Sequence, residues 1–144
     1  MLFRSRQAAV SLGVPAIFHG FVNQSRLPAI YAAANVVALP SDGQETWGLV
    51  VNESMACGVQ AIVSDAVGCG PDLVEPGLTG EVFARGDVAD FARAIDRAFS
   101  LDANSTRLAL AARMAVYSPR RAAQGIMDGV TRACDAGSAA KMKR

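Results

Sequence analysis

The class this sequence predicts is α/β, a parallel sheet flanked by helices, and three observations predict it. Short aliphatic runs at Pro15–Phe18, Val36–Leu39, Ala61–Val63 and Gly80–Phe83 alternate with longer Ala-rich stretches, the pattern in which strand–helix–strand units are written. Four such short strands joined by helices imply a sheet covered on both faces. The length, 144 residues, suits one domain, and 51% hydrophobic with 6% aromatic residues supplies an aliphatic core. A chain of this size buries about two thirds of its unfolded surface.

The elements follow in order. Arg4–Leu12 reads as a helix ended by Gly13, and Pro15–Phe18 as a short strand running into His19 and Gly20. Arg26–Ala34 is a second helix, with Ser25 as its cap and Pro28 tolerated in the first turn. Val36–Leu39 is the next strand, followed by the turn-rich loop Pro40–Gln44 and a helix from Thr46 to Cys57 terminated by Gly58. Ala61–Val63 is a strand, Ser64–Gly70 a loop, Pro71–Val74 one helical turn and Gly80–Phe83 the fourth strand. Asp87–Phe99 reads as an amphipathic helix carrying Val88, Phe91, Ile95 and Phe99 on one stripe. Asn104–Val116 and Arg120–Ala133 are two more helices. The expected organisation is one partial domain over residues 1–136 and a disordered basic tail over 137–144.

Composition excludes several classes. Fourteen Lys and Arg against thirteen Asp and Glu leave a formal charge of +1, so there is no basic field to hold a phosphate backbone and no nucleic acid partner is expected. Cys57, Cys69 and Cys134 are an odd set without CxxC spacing, and His19 is the only histidine. Reduced thiols and no metal site are therefore expected. Arg4 and Arg6 interrupt the first residues, and no apolar run approaches the roughly 20 needed to span a bilayer. The expected location is the cytoplasm, without a transmembrane segment.

Ligands of such sheets bind beyond the carboxyl ends of the strands, which directs attention to Gly20–Ser25, Pro40–Gln44 and Ser64–Gly70. The middle loop delivers Glu45 to a helix that carries Glu53. In a continuous helix the two carboxylates would stand roughly 80° apart around the axis and about 12 Å apart along it, within reach of different parts of one elongated ligand. Thr46, Trp47 and Gly48 would then present the N–H groups that favour an anion. Two carboxylates for vicinal hydroxyls around an anion cradle fit a nucleotide diphosphate sugar. The bland readings stand beside this one: Glu45 as a complement to the helix dipole, Glu53 as an outward-facing helix carboxylate, and Trp47 as a residue packing on a neighbouring helix.

The stretches PSDGQETWGLVVNESMACG and AIVSDAVGCGPDLVEPGLTGEVF resemble the C-terminal, Rossmann-like donor-binding domain of GT-B glycosyltransferases, in particular the retaining group with a Glu-x7-Glu motif. The resemblance covers about residues 15–99. It implies that Glu45 binds hydroxyls of the donor sugar and is the catalytic carboxylate, that Glu53 binds the ribose, and that the backbone of Thr46, Trp47, Gly48 and Leu49 approaches sugar and diphosphate. Ser41 and Gly43 would shape the loop. Gly68 and Asp72 match the family's Gly-Gly-x-x-Glu loop, and Thr79-Gly80 its turn before the next strand. No cofactor or metal is implied, the nucleotide diphosphate sugar being a substrate. Gln60, Ser54 and Cys69 depart from the family's usual proline, alanine and second loop glycine.

In the family an acceptor domain and an earlier strand followed by diphosphate-binding Arg and Lys come first. Only 44 residues precede Glu45 here, and Arg4 and Arg6 lie too close together to stand in for that pair. The chain is thus expected to be an N-terminally truncated donor half, inactive alone, with the acceptor domain on another chain. The alternative is a non-catalytic nucleotide-sugar binding module, or a remnant that completes its site on a partner. A sugar-nucleotide epimerase of the same fold is disfavoured by the want of several cleft histidines and acids. Met55, Met114 and Met127 read as core filler, and Arg107, Arg113, Arg120, Arg121 and Arg132 as a solvated face.

Overall fold

The computed structural model describes residues 2–141, with side chains from residue 4 to residue 135. In chain order the elements are α1 (Leu2–Ser11), a 3₁₀ turn (Gln24–Arg26), α2 (Leu27–Ala32), β1 (Val36–Leu39), α3 (Leu49–Ala56), β2 (Gln60–Ser64), α4 (Gly70–Leu73), β3 (Gly80–Phe83), α5 (Val88–Phe99), α6 (Ala103–Val116) and α7 (Pro119–Lys141). The sheet is parallel in the order β1-β2-β3, with Val36 opposite Gln60 and Ala61 opposite Gly80. The α/β class and the parallel, Rossmann-like sheet are as expected.

The sheet has three strands among the described residues, where four were expected. Pro15–Phe18 forms no ladder, and Ile17 and Phe21 are 83% and 98% exposed. An aliphatic run becomes a strand only when a neighbour pairs with its N–H and C=O groups, and among the described residues none lies beside this one. The expected capping role of Ser25 also falls elsewhere: Asn23 Oδ1 accepts from the Ser25 N–H at 3.0 Å and caps the 3₁₀ turn that leads into α2.

The core lies on both faces of β2. On one face Val51, Met55, Val63, Val67, Leu73 and Leu110 join α3, α4 and α6 to the sheet. On the other, Ile62 and Phe83 meet Ala94 and Ala98 of α5, with Phe91 and Ile95 packed alongside. The stripe on α5 therefore runs through Phe91, Ala94, Ile95 and Ala98, while Val88 and Phe99 are left exposed in the first and last turns. Alanines at the sheet-facing positions let the helix approach closely. At the ends of α5 and α6, Asp87 and Asp102 accept from the N–H groups of Asp90 and Ser105 as caps.

Three further expectations change at the C-terminal helices. Met127 is 62% exposed on α7 and fills no core. Arg113 is not on a solvated face: it donates to the Asp72 carbonyl at 3.0 Å and to Glu75 Oε2 at 2.8 Å, pinning α6 to the α4 turn. The helix α7 continues past Gly137 to Lys141, where a frayed tail was expected to begin, and residues 142–144 lie outside the described residues. No helix among the described residues is long and apolar enough to cross a membrane.

Candidate functional site

The loop after β1 is tied down from two sides. Ser64 Oγ, at the end of β2, donates to the Ser41 carbonyl at 2.6 Å. Arg85, just past β3, donates through Nη1 to the Asp42 carbonyl at 2.9 Å, and its own N–H donates to Asp65 Oδ1 at 3.0 Å. The Ser41 and Asp42 carbonyls thus hold the loop across the carboxyl ends of the strands, the end at which ligands of such sheets bind.

Beyond it the structure corrects the expected helix. Residues Glu45–Trp47 are not helical; α3 starts at Leu49, with Gly48 as its N-cap at φ 100°. A left-handed residue ends any helical path, so Glu45 stands on an exposed loop and the separation expected from one continuous helix does not apply. The cause is local packing. A Cβ on Gly48 would lie 3.1 Å from Leu39 and from Val67 and 3.3 Å from Cys69, so the backbone is pressed against the core where no side chain fits. The N–H groups that open the helix belong to Leu49 and Val50, and the Val51 N–H closes the first turn on the Gly48 carbonyl at 2.9 Å.

Trp47 is half-buried and packs on the core cluster beneath α3 and α6. Its ring lies tilted toward Tyr117, centroids 6.4 Å apart, and its Nε1–H donates to Asn52 Oδ1 at 2.6 Å. Tyr117 in turn donates to Asp72 Oδ1 at 2.9 Å, which gives Asp72 a place in the frame of the loop. The departures from the family pattern are absorbed locally. Ser54 is fully buried and turns its hydroxyl back on the Val51 carbonyl at 3.0 Å. Cys69 is also buried, its thiol pushed up to about 11 by burial, and Gln60 donates to the Ala98 carbonyl at 3.0 Å.

Glu53 lies on α3, half-buried, and its Oε2 accepts a hydrogen bond from the Tyr31 hydroxyl of α2 at 2.8 Å. Sequence reading passed over Tyr31, because nothing in the run RLPAIYAAA marks one helical residue as facing another 22 positions on. Burial, followed by the bond to Glu53, pushes the Tyr31 hydroxyl up to about 12. Glu53 also lines a cavity of about 700 Å³ between α3 and the α6–α7 junction, with Trp47, Leu49, Asn52, Tyr117 and Arg121 around it. The structure therefore gathers Trp47, Leu49 and Glu53 at one cavity. Ser41 lines another, at the strand ends, and Gly43, Glu45, Thr46 and Gly48 line neither. His19 borders a third hollow with Ser25 and Arg26. Among the described residues no group of three or more His, Cys, Asp and Glu is placed to hold a metal ion.

Residues 3–115 match the family described as Glycosyl transferases group 1. The chain is 40% identical over 81 residues to a sulfoquinovosyl transferase of Arabidopsis thaliana, and 40% identical over 97 residues to a D-inositol 3-phosphate glycosyltransferase of Mycobacterium sp. (strain KMS). These alignments cover 54% and 66% of this chain but 16% and 22% of the relatives, so the chain spans about a fifth of their length. Among solved structures, sucrose-phosphate synthase from Thermosynechococcus elongatus superimposes with a TM-score of 0.77 at 27% identity, over 93% of this chain and 34% of that one. Anabaena HepE, solved in complex with UDP and glucose, superimposes at 0.72 and 26% identity, over 94% and 36%. Fold, family match and relatives agree: this chain belongs to the group 1 glycosyltransferases and has the α/β architecture of GT-B enzymes.

Proposed function

We propose that this chain is the donor-binding half of a retaining glycosyltransferase, one that takes a nucleotide diphosphate sugar and presents its glycosyl group to an acceptor held outside the chain. The observation that carries the reading is Glu53, held on one oxygen by Tyr31 and lining a cavity of about 700 Å³ that also includes Leu49, the first residue of α3. The likeness to HepE, solved with UDP and glucose, supports it.

In this reading Glu53 accepts from the ribose hydroxyls, since a carboxylate is an acceptor-only group suited to paired O–H donors. The N–H groups of Leu49 and Val50 meet the diphosphate at the positive end of α3. Glu45, on its exposed loop, accepts from the hydroxyls of the donor sugar and is the carboxylate nearest the reacting carbon. The Ser41 and Asp42 carbonyls hold that loop through their ties to Ser64 and Arg85, Gly43 turns it at φ 104°, and the backbone of Thr46, Trp47 and Gly48 flanks the sugar and phosphate. As the glycosyl bond breaks, charge develops on the leaving diphosphate, which helix-terminal N–H groups stabilise in place. No resident metal is invoked. The chain by itself binds donor without transferring it, because the acceptor is held outside it.

The test is calorimetric titration of the purified chain with UDP, GDP and ADP and their sugars. Glu53→Gln should weaken nucleotide and nucleotide sugar alike, whereas Glu45→Gln should weaken only the nucleotide sugar. Equal effects of both variants on both ligands would refute the division of roles, and glycosyl transfer by the isolated chain would refute its dependence on a second domain.

A further inference from the structure

Glu53 is reached from two sides. Toward α6 and α7 it faces the cavity of about 700 Å³, and toward α2 it lines a smaller one, of about 220 Å³, with Leu27, Pro28, Tyr31 and Cys57. A glutamate on a helix surface has three side-chain torsions to order before it can hold a ligand, and that ordering weakens binding unless something has done it beforehand. Tyr31 does so here. Its hydroxyl meets Oε2 at 2.8 Å, a hydrogen bond to an ionised acceptor and so stronger than a neutral one. The phenol ring is rigid and half-buried, and Pro28 in the first turn of α2 stiffens the helix that carries it. Oε2 is thus engaged from the α2 side while the same side chain lines the larger cavity.

We infer that Tyr31 is a positioning residue for Glu53, orienting its carboxylate so that one oxygen is presented to the ribose hydroxyls of the nucleotide and ribose is selected over deoxyribose. This rests on the ribose-binding role proposed for Glu53. Tyr31 touches neither sugar nor phosphate; it acts through the carboxylate. Because its hydroxyl stays protonated up to about pH 12, the donation is intact across the neutral range.

Two measurements on the full chain test this. The first needs no ligand: tyrosinate absorbance followed against pH. In Glu53→Gln, Tyr31 should ionise at lower pH than in the parent while staying above the ordinary value for tyrosine, because its burial remains, and an unchanged titration would show that the contact does not exist in solution. The second is titration with UDP, GDP and ADP and with the 2′-deoxy form of whichever binds. Tyr31→Phe should weaken the ribonucleotide by about three- to tenfold, the span of one net hydrogen bond. It should weaken the deoxynucleotide less, so that the ratio between them shrinks, and in the Glu53→Gln background it should have no further effect. A Tyr31→Phe chain with the parent's melting temperature and an undiminished ribose preference would overturn the positioning role while leaving Glu53 in place. A Glu53→Gln chain that keeps the preference, or a folded parent that binds none of the nucleotides, would overturn the ribose role of Glu53 itself and this inference with it.

Discussion

The α-carbon of Gly68 lies against the carbonyl of Thr46, where a Cβ would collide. One residue on, the Cys69 N–H donates to the Trp47 carbonyl at 2.8 Å. The loop after β2 therefore forms the floor under the segment that carries Glu45. What the sequence shows as two separate small-residue motifs is in space a single contact.

A methyl group at Gly68 tests that floor. Gly68→Ala should push Thr46 outward, because the colliding atoms are backbone and have no rotamer in which to retreat. Overpacking of this kind destabilises by about 1–3 kcal/mol, to be read from denaturant midpoints at unchanged slope. If Glu45 acts as proposed, the variant should also lose affinity for the nucleotide sugar beyond its loss for the nucleotide, measured in the same titrations.

A second prediction concerns the far edge of the sheet. Glu81 is 4% exposed, and its carboxylate accepts from Arg97 Nε at 2.8 Å and from the Gly77 N–H at 3.0 Å. Removing the arginine leaves a buried charge with only the backbone donor. Breaking such a pair costs about 3–5 kcal/mol when both partners are buried; Arg97 is 45% exposed, so water replaces part of the loss. Arg97→Met should lower the denaturant midpoint, and the double variant with Glu81→Gln should recover part of it. A double variant no more stable than Arg97→Met would show that the buried charge is not the source.

Alkaline pH supplies a third. Both tyrosines are shifted upward: Tyr31 to about 12, first by burial and then by Glu53, and Tyr117 in the same direction, first by its bond to Asp72. In the unfolded chain a tyrosine ionises near its ordinary value of about 10. Above that pH the unfolded state releases protons that the folded state retains, so stability falls as pH rises. The contribution of Tyr31 is fully present below about pH 10 and is lost as pH rises toward about 12. Denaturant unfolding across that window should show the decline in the parent and a shallower one in Tyr31→Phe.

By itself the sequence determined the class, the three strands β1, β2 and β3, the helices that cover them, and the candidates Glu45 and Glu53. These depend on local composition: aliphatic runs of strand length, glycines after helices at Gly13 and Gly58, and linked motifs in a fixed order. Tertiary structure decided the rest, for a common reason, that each outcome depends on a partner distant in the chain. Pro15–Phe18 has the composition of a strand but, among the described residues, no neighbour to pair with. Thr46 and Trp47 are compatible with a helix, yet Gly48, pressed between Leu39, Val67 and Cys69, takes a left-handed turn that starts α3 at Leu49 and frees Glu45 from it. Arg113 reads as a surface charge until Asp72 and Glu75 are brought beside it. Tyr31 reads as one more residue of a helix until the fold sets α2 against α3, where its hydroxyl, 22 positions from Glu53 in sequence, comes to 2.8 Å from the carboxylate.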